Sequence, residues 1–231
     1  SKNRYKAGIE AIRKWKTQVI ILDDGFQHQQ LKRDLDIVVI DSTRPFGNGQ
    51  MLPAGILREP KRSLQRVDLL LLTHTNSISN LSQIRSKIET IAGQKTIFES
   101  QYHPTKLYKL GDPQDLSLES LKNQRILLVC GIGNPRTFVH TVEGYQPSHL
   151  ELMAFSDHYQ YRRKDILRIQ RRASIMKADI IVTTQKDEQK LRLYADQLLI
   201  LVLAIEVRFL PEHGRSIKDM LNLYARTCLP L

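Results

Sequence analysis

Short, almost uninterrupted apolar runs at residues 19–22, 35–40, 67–73, 125–130, 180–184 and 198–203 are the feature that most narrows what this chain can fold into. A strand with one face in water alternates apolar and polar residues, whereas a strand covered on both faces is apolar throughout. Between the runs lie stretches of helical period. Ala7, Ile9, Ala11, Ile12 and Trp15 share one side of residues 4–15, and Ile78, Leu81, Ile84, Ile88 and Ile91 share one side of residues 77–92. Further helices are expected from Arg136 and over 216–227, and residues 97–110 read as extended. Strand and helix in alternation predict an α/β fold with parallel sheets covered by helices. The polar, turn-rich stretch 111–124 marks a boundary between a domain of residues 1–118 and a smaller α/β domain of residues 119–231, whose last helix is placed to pack back on the first.

Charge narrows the partners rather than the fold. Thirty-five Lys and Arg against 24 Asp and Glu give a formal charge of +11 in 231 residues, which favours polyanions: nucleic acid, anionic lipid headgroups or a phosphorylated substrate. No apolar run approaches the ~20 residues of a membrane-spanning helix, and the opening SKNRYKAG lacks a signal-peptide core, so membrane contact is expected to be peripheral. Cys130 and Cys228 have neither zinc-site spacing nor the pattern of a disulfide framework, which fits a reducing cytoplasmic compartment. The chain opens at Ser1 rather than methionine and reads as a fragment.

Asp23 and Asp24 follow the run 19–22 directly, and the carboxyl end of a strand is where open α/β sheets bind ligands. Such acids hold Mg²⁺ directly or through water, or else cap the following turn. His28, four residues on, is placed to contact phosphate or orient a carboxylate, or to serve structure alone. Residues 43–60 carry three prolines and three glycines, too many breakers for a helix or strand, so a long ordered loop is expected. Near its end Arg58 and Glu59 abut Pro60, and an arginine on a stiff backbone suits bidentate recognition of phosphate or carboxylate; a surface Arg–Glu pair is the alternative. Asp157 and His158 together suit proton transfer from a hydroxyl. The basic run over 162–177 spreads around one element, so most of it is solvated surface and part can face an anionic partner. No Walker A pattern, G-x-x-x-x-G-K-[ST], occurs anywhere.

Taken together, DDGFQH (23–28), RDLDIVVID (33–41), RPFGNGQMLPAGILREP (44–60), GIGNP (131–135), FSDH (155–158) and TTQKD (183–187) resemble, in order and spacing, the tetraacyldisaccharide 4'-kinases of lipid A biosynthesis. The resemblance implies two α/β/α units with the active site in the cleft between them. The first is a phosphate-loop-kinase-like core, incomplete here. It implies transfer of the γ-phosphate of ATP, with Mg²⁺, to the 4'-hydroxyl of a lipid A disaccharide precursor at the cytoplasmic face of the inner membrane. Carried over by motif, Asp23 and Asp24 stand at magnesium and the nucleotide phosphates with His28 and Arg4, Arg58 and Glu59 at the substrate, and Asp157 and His158 in catalysis. The family's glycine-rich GGTGKT-like loop and the segment with its catalytic aspartate would precede Ser1, so these residues alone are expected to be inactive. Asn3, Gln29, Gln30 and Gln185 depart from the family pattern.

Two other classes compete. A nucleic-acid-binding module would explain the charge, but no RNP signature, GXXG loop or zinc-finger spacing accompanies it, and no nucleic-acid partner is expected. A metal-dependent hydrolase would use Asp23, Asp24, His28, Asp157 and His158 as ligands.

Overall fold

The computed structural model describes residues 3–112, 114–212 and 214–228. In chain order its elements are α1 (Arg4–Trp15), β1 (Ile37–Asp41), β2 (Leu69–Thr73), α2 (Leu81–Ala92), β3 (Thr96–Lys109), β4 (Asp115–Leu116), β5 (Arg125–Cys130), α3 (Pro135–Glu143), β6 (His149–Ala154), α4 (Arg163–Met176), β7 (Ile180–Thr184), α5 (Gln185–Leu191), β8 (Ile200–Leu210) and α6 (Ile217–Cys228). They form two compact units, residues 1–101 with 209–231, and residues 102–208. The turn-rich stretch 111–124, where composition places a boundary, folds within the second unit, its β4 pairing antiparallel with β3.

In the first unit β1, β2 and the start of β3 run parallel, with Ile37 opposite Leu69 and Leu69 opposite Thr96. β2 is the middle strand, and Leu69, Leu70 and Leu72 are fully buried. Leu70 and Leu72 pack with Ile40, Phe46, Leu64, Ile88 and Ile97, so α2 and the 3₁₀ turn Lys61–Arg66 cover that face. α2 begins at Leu81, after Asn80 and a separate 3₁₀ turn, Thr75–Ser77; the helical period extended over residues that the local turn takes for itself. In α1, Asn3 accepts a hydrogen bond from the Lys6 amide at 3.0 Å, satisfying one of the amides that a helix start leaves open.

One expected strand is corrected. Residues 19–22 form no strand, and Ile21 is 89% exposed. A strand needs a neighbour for its backbone groups, and among the described residues no strand pairs with this run. Asp23 and Asp24 therefore sit on a loop rather than at a strand tip.

The second unit carries four parallel strands in the order β6-β5-β7-β8. Period-two alternation sorts β5 between two cores. Ile126, Leu128 and Cys130 point toward Phe138 and Val142 of α3; Leu127 and Val129 point toward Ile166 and Ile169 of α4. A sheet with helices on both faces is what the apolar run predicted. α3 opens with Pro135 in its first turn, where the missing N–H costs nothing. Cys130 is a free, buried thiol, and burial with the nearby Asp187 charge pushes it up to about 12. The Cys228 side chain lies outside the described set.

Candidate functional site

The loop 23–28 is built by backbone contacts. Arg4 donates to the carbonyls of Asp23 and Asp24, at 3.2 and 3.4 Å. Asp24 has φ of +50°, uncommon for a residue with a side chain, and the chain turns there. Gly25 is buried, and a Cβ on it would lie 2.7 Å from Leu22 Cβ, so the turn closes only with glycine. The His28 amide donates to the Gly25 carbonyl at 3.0 Å. The His28 carbonyl accepts from Arg33 at 2.6 Å, and the same guanidinium holds Asp36 through two bonds of 2.6 and 2.9 Å.

Arg58 and Glu59 do not pair with each other. Arg58 reaches out to the Asp24 carboxylate, both side chains more than half exposed. Glu59 turns inward to Arg66, which grips its two oxygens at 2.8 and 2.7 Å. Arg66 also donates to the Phe26 carbonyl at 3.2 Å and stacks over the Phe26 ring at 3.8 Å, a cation–π contact. The Arg66 hydrogen bond holds the Glu59 carboxyl below the usual range, against the opposing effect of burial. Asp23 and Asp24 thus come together with Arg4 and Arg58, while Glu59 belongs to the support beneath them. The support residues Arg33 and Arg66 escaped sequence reading; Arg33 stands in a motif already singled out, and its spacing to Asp36 was the available signal.

Asp157 and His158 lie in the second unit, in the turn after β6. Lys186 donates to Asp157 Oδ1 at 2.8 Å and is the chief cause of a lowered Asp157 pKa. His158 Nε2 stands 3.8 Å from Asp157 Oδ2, an ion-pair distance rather than a hydrogen bond, and its side chain is 76% exposed. Beneath the turn Asp187 is fully buried. Among the described residues no three His, Cys, Asp or Glu side chains gather to hold a metal ion.

The sequence model of the family described as Tetraacyldisaccharide-1-P 4'-kinase matches residues 1–223. Among curated proteins, the tetraacyldisaccharide 4'-kinase of Halothermothrix orenii is 38% identical over 81% of this chain and 52% of its own length. That of Syntrophus aciditrophicus is 37% identical over 91% of this chain and 59% of its own. This chain therefore spans a little over half the length of these relatives. A crystal structure of LpxK from Aquifex aeolicus, described as an "apo" form in complex with ATP, superposes with a TM-score of 0.61 at 24% identity, covering 100% of this chain and 64% of that one; this likeness establishes the fold.

The Glu59 carboxyl carries a pH signature. A folded-state pKa below the ordinary 4.5 gives stability that is present above pH 4.5 and lost as the pH falls through the folded value. Urea unfolding of the parent is expected to weaken on acidification below pH 4.5 more steeply than that of Glu59→Gln, and the variant to be less stable at pH 7 by about 2 kcal/mol, the worth of a hydrogen bond to a charged group.

Proposed function

This chain belongs to the tetraacyldisaccharide-1-P 4'-kinase family, and from that premise we propose that it takes part in transferring the γ-phosphate of ATP to the 4'-hydroxyl of a tetraacyldisaccharide 1-phosphate. The observation that carries the reading is Arg58 poised on Asp24 beside Asp23, on a loop fixed by glycine and by Arg4. An exposed ion pair is worth only about 0–1 kcal/mol. A phosphate oxygen pair can therefore displace Asp24 from the guanidinium fork at little cost.

Asp23 and Asp24 are exposed carboxylates, and two of them suit Mg²⁺, a hard ion that takes one or two carboxylates and fills its shell with water and phosphate oxygens. Held there with the nucleotide, such an ion would supply neutralisation of charge on the phosphates. The chain's own residues orient: Arg58 aligns an anionic group, Arg4 holds the loop carbonyls, and Glu59 with Arg66 keeps Arg58's backbone in place. In the second unit the exposed imidazole of His158 assists removal of the hydroxyl proton, with Asp157 held ionised by Lys186. The phosphate loop and base aspartate of the family pattern are not among these 231 residues. Transfer is largely positioning and electrostatics, so these residues alone leave the γ-phosphate without its cradle.

The direct test is transfer from labelled ATP by the complete translation product of this reading frame, beside the 231 residues alone. The complete product should phosphorylate the 4'-position, lose about 10²-fold or more with His158→Ala, and the 231 residues alone should transfer nothing. A complete product without 4'-phosphorylation contradicts the reading.

Peripheral attachment to the cytoplasmic face of the inner membrane belongs to the same proposal. No helix among the described residues is long and apolar enough to cross a membrane. On the outer side of α4, Arg163, Lys164, Arg168 and Arg171 are exposed around exposed Leu167 and Ile175. Each cation near an anionic surface contributes about 1 kcal/mol. Reversing Lys164, Arg168 and Arg171 to Glu should weaken binding to anionic vesicles at least about 100-fold while leaving neutral vesicles unaffected; equal binding to both vesicle types by the parent contradicts the attachment.

A further inference from the structure

We propose that Lys186 and Asp187, neighbours in the first turn of α5, are positioning residues that set where Asp157 and His158 stand. The inference takes from the kinase reading only the work that this pair performs; its geometry stands apart from that reading.

Asp187 does more than open a helix. Its amide donates to the Thr184 hydroxyl at 3.3 Å, and its Oδ2 accepts from that hydroxyl at 3.0 Å, which is local capping. The same Oδ2 accepts from the Gly131 amide at 2.8 Å, across 56 residues of sequence, and Lys190 stands 3.3 Å from Oδ1. Leaving a carboxylate fully buried is costly unless it is paired and hydrogen-bonded, and these contacts do both. Gly131 then passes the constraint on. Its carbonyl accepts from the His158 amide at 3.3 Å, and a Cβ at 131 would lie 3.1 Å from the Ser156 carbonyl oxygen and 3.2 Å from Tyr159 Cβ. The two loops touch without room for a side chain.

His158 needs such a constraint. It sits at φ of +59°, and no packing fixes an imidazole that is three-quarters exposed. Its location is therefore inherited from the backbone that Asp187 anchors through Gly131. Lys186 acts on the other side of the turn. Asp157 Oδ1 accepts from Lys186 Nζ at 2.8 Å and from the His158 amide at 3.0 Å, which leaves the imidazole 3.8 Å from the other oxygen. Lysine thus keeps the carboxylate from closing on the ring. The groups facing Asp157 are Lys186 from α5 and His158 from its own turn, and the lowered Asp157 pKa follows mainly from the lysine.

Amide hydrogen exchange and carbon-detected titration on the 231-residue chain test this. Asp187→Asn replaces a charge-assisted bond with a neutral one. Exchange of the Gly131 and His158 amides should quicken about tenfold or more relative to Leu127 and Val129 in β5. Lys186→Met should leave the Gly131 amide alone, shift the His158 ring resonances and raise the pH at which the Asp157 carboxyl titrates; Lys186→Arg should restore both. Unchanged ring resonances and Asp157 titration in Lys186→Met overturn the proposal, as does Asp187→Asn exchange that rises equally throughout β5, which marks a carboxylate serving stability alone. Should Asp187→Asn not fold, the two Lys186 variants, at a half-exposed position, decide the matter. Neither readout uses ATP or lipid, so failure here leaves the kinase reading standing, and failure of the transfer assay leaves these outcomes interpretable.

Discussion

The bidentate pair between Glu59 and Arg66 is the interaction on which the first unit's candidate site depends. Arg66 belongs to the 3₁₀ turn Lys61–Arg66, which packs on the sheet through Leu64, so the pair ties a long loop to the core. The same guanidinium binds the Phe26 carbonyl and covers its ring, which ties down the acidic loop as well. Two irregular segments otherwise lacking regular secondary structure are thus registered against one another by a single arginine. Arg58, one residue from Glu59, inherits a fixed backbone and keeps its own charge at the surface.

The second unit solves a similar problem with a buried acid in place of a partly buried base. Asp187 anchors the turn after β5 through a backbone amide, and that turn carries the backbone of His158. In both units the exposed groups suited to chemistry, Arg58 and His158, are held through backbone by a charged side chain that is itself more shielded from water than they are. Shielding strengthens the supporting contact and leaves the exposed group available to a ligand.

Sequence alone made the sheet legible because buried parallel strands are written in uninterrupted apolar residues: β5 and β7 carry the bounds expected for them. It misplaced residues 19–22 for the same reason, since an apolar run declares a preference for burial but not the presence of a neighbour to pair with. β6, HLELMA, escaped because it is only partly buried and interspersed with polar residues. α5 escaped because seven mostly polar residues show too little period. The motifs singled out Asp23, Asp24, Arg58, Glu59, Asp157 and His158 as candidates, yet not which side chains each of them meets. Adjacency suggested that Arg58 and Glu59 act together, whereas the bend that carries them sends them to different partners. Arg66 and Asp187 are set apart from the loops they support by 7 and 56 residues, separations that no local spacing rule can read.

The central claim is that Glu59 serves the fold and Arg58 serves the ligand. Paired double-mutant cycles in urea unfolding at pH 7 test it most directly, one on Glu59 and Arg66, the other on Asp24 and Arg58. The account predicts a coupling of about 1.5–3 kcal/mol for the half-buried, bidentate first pair and about 0–1 kcal/mol for the exposed second. A strong Asp24–Arg58 coupling beside a negligible Glu59–Arg66 one would contradict it.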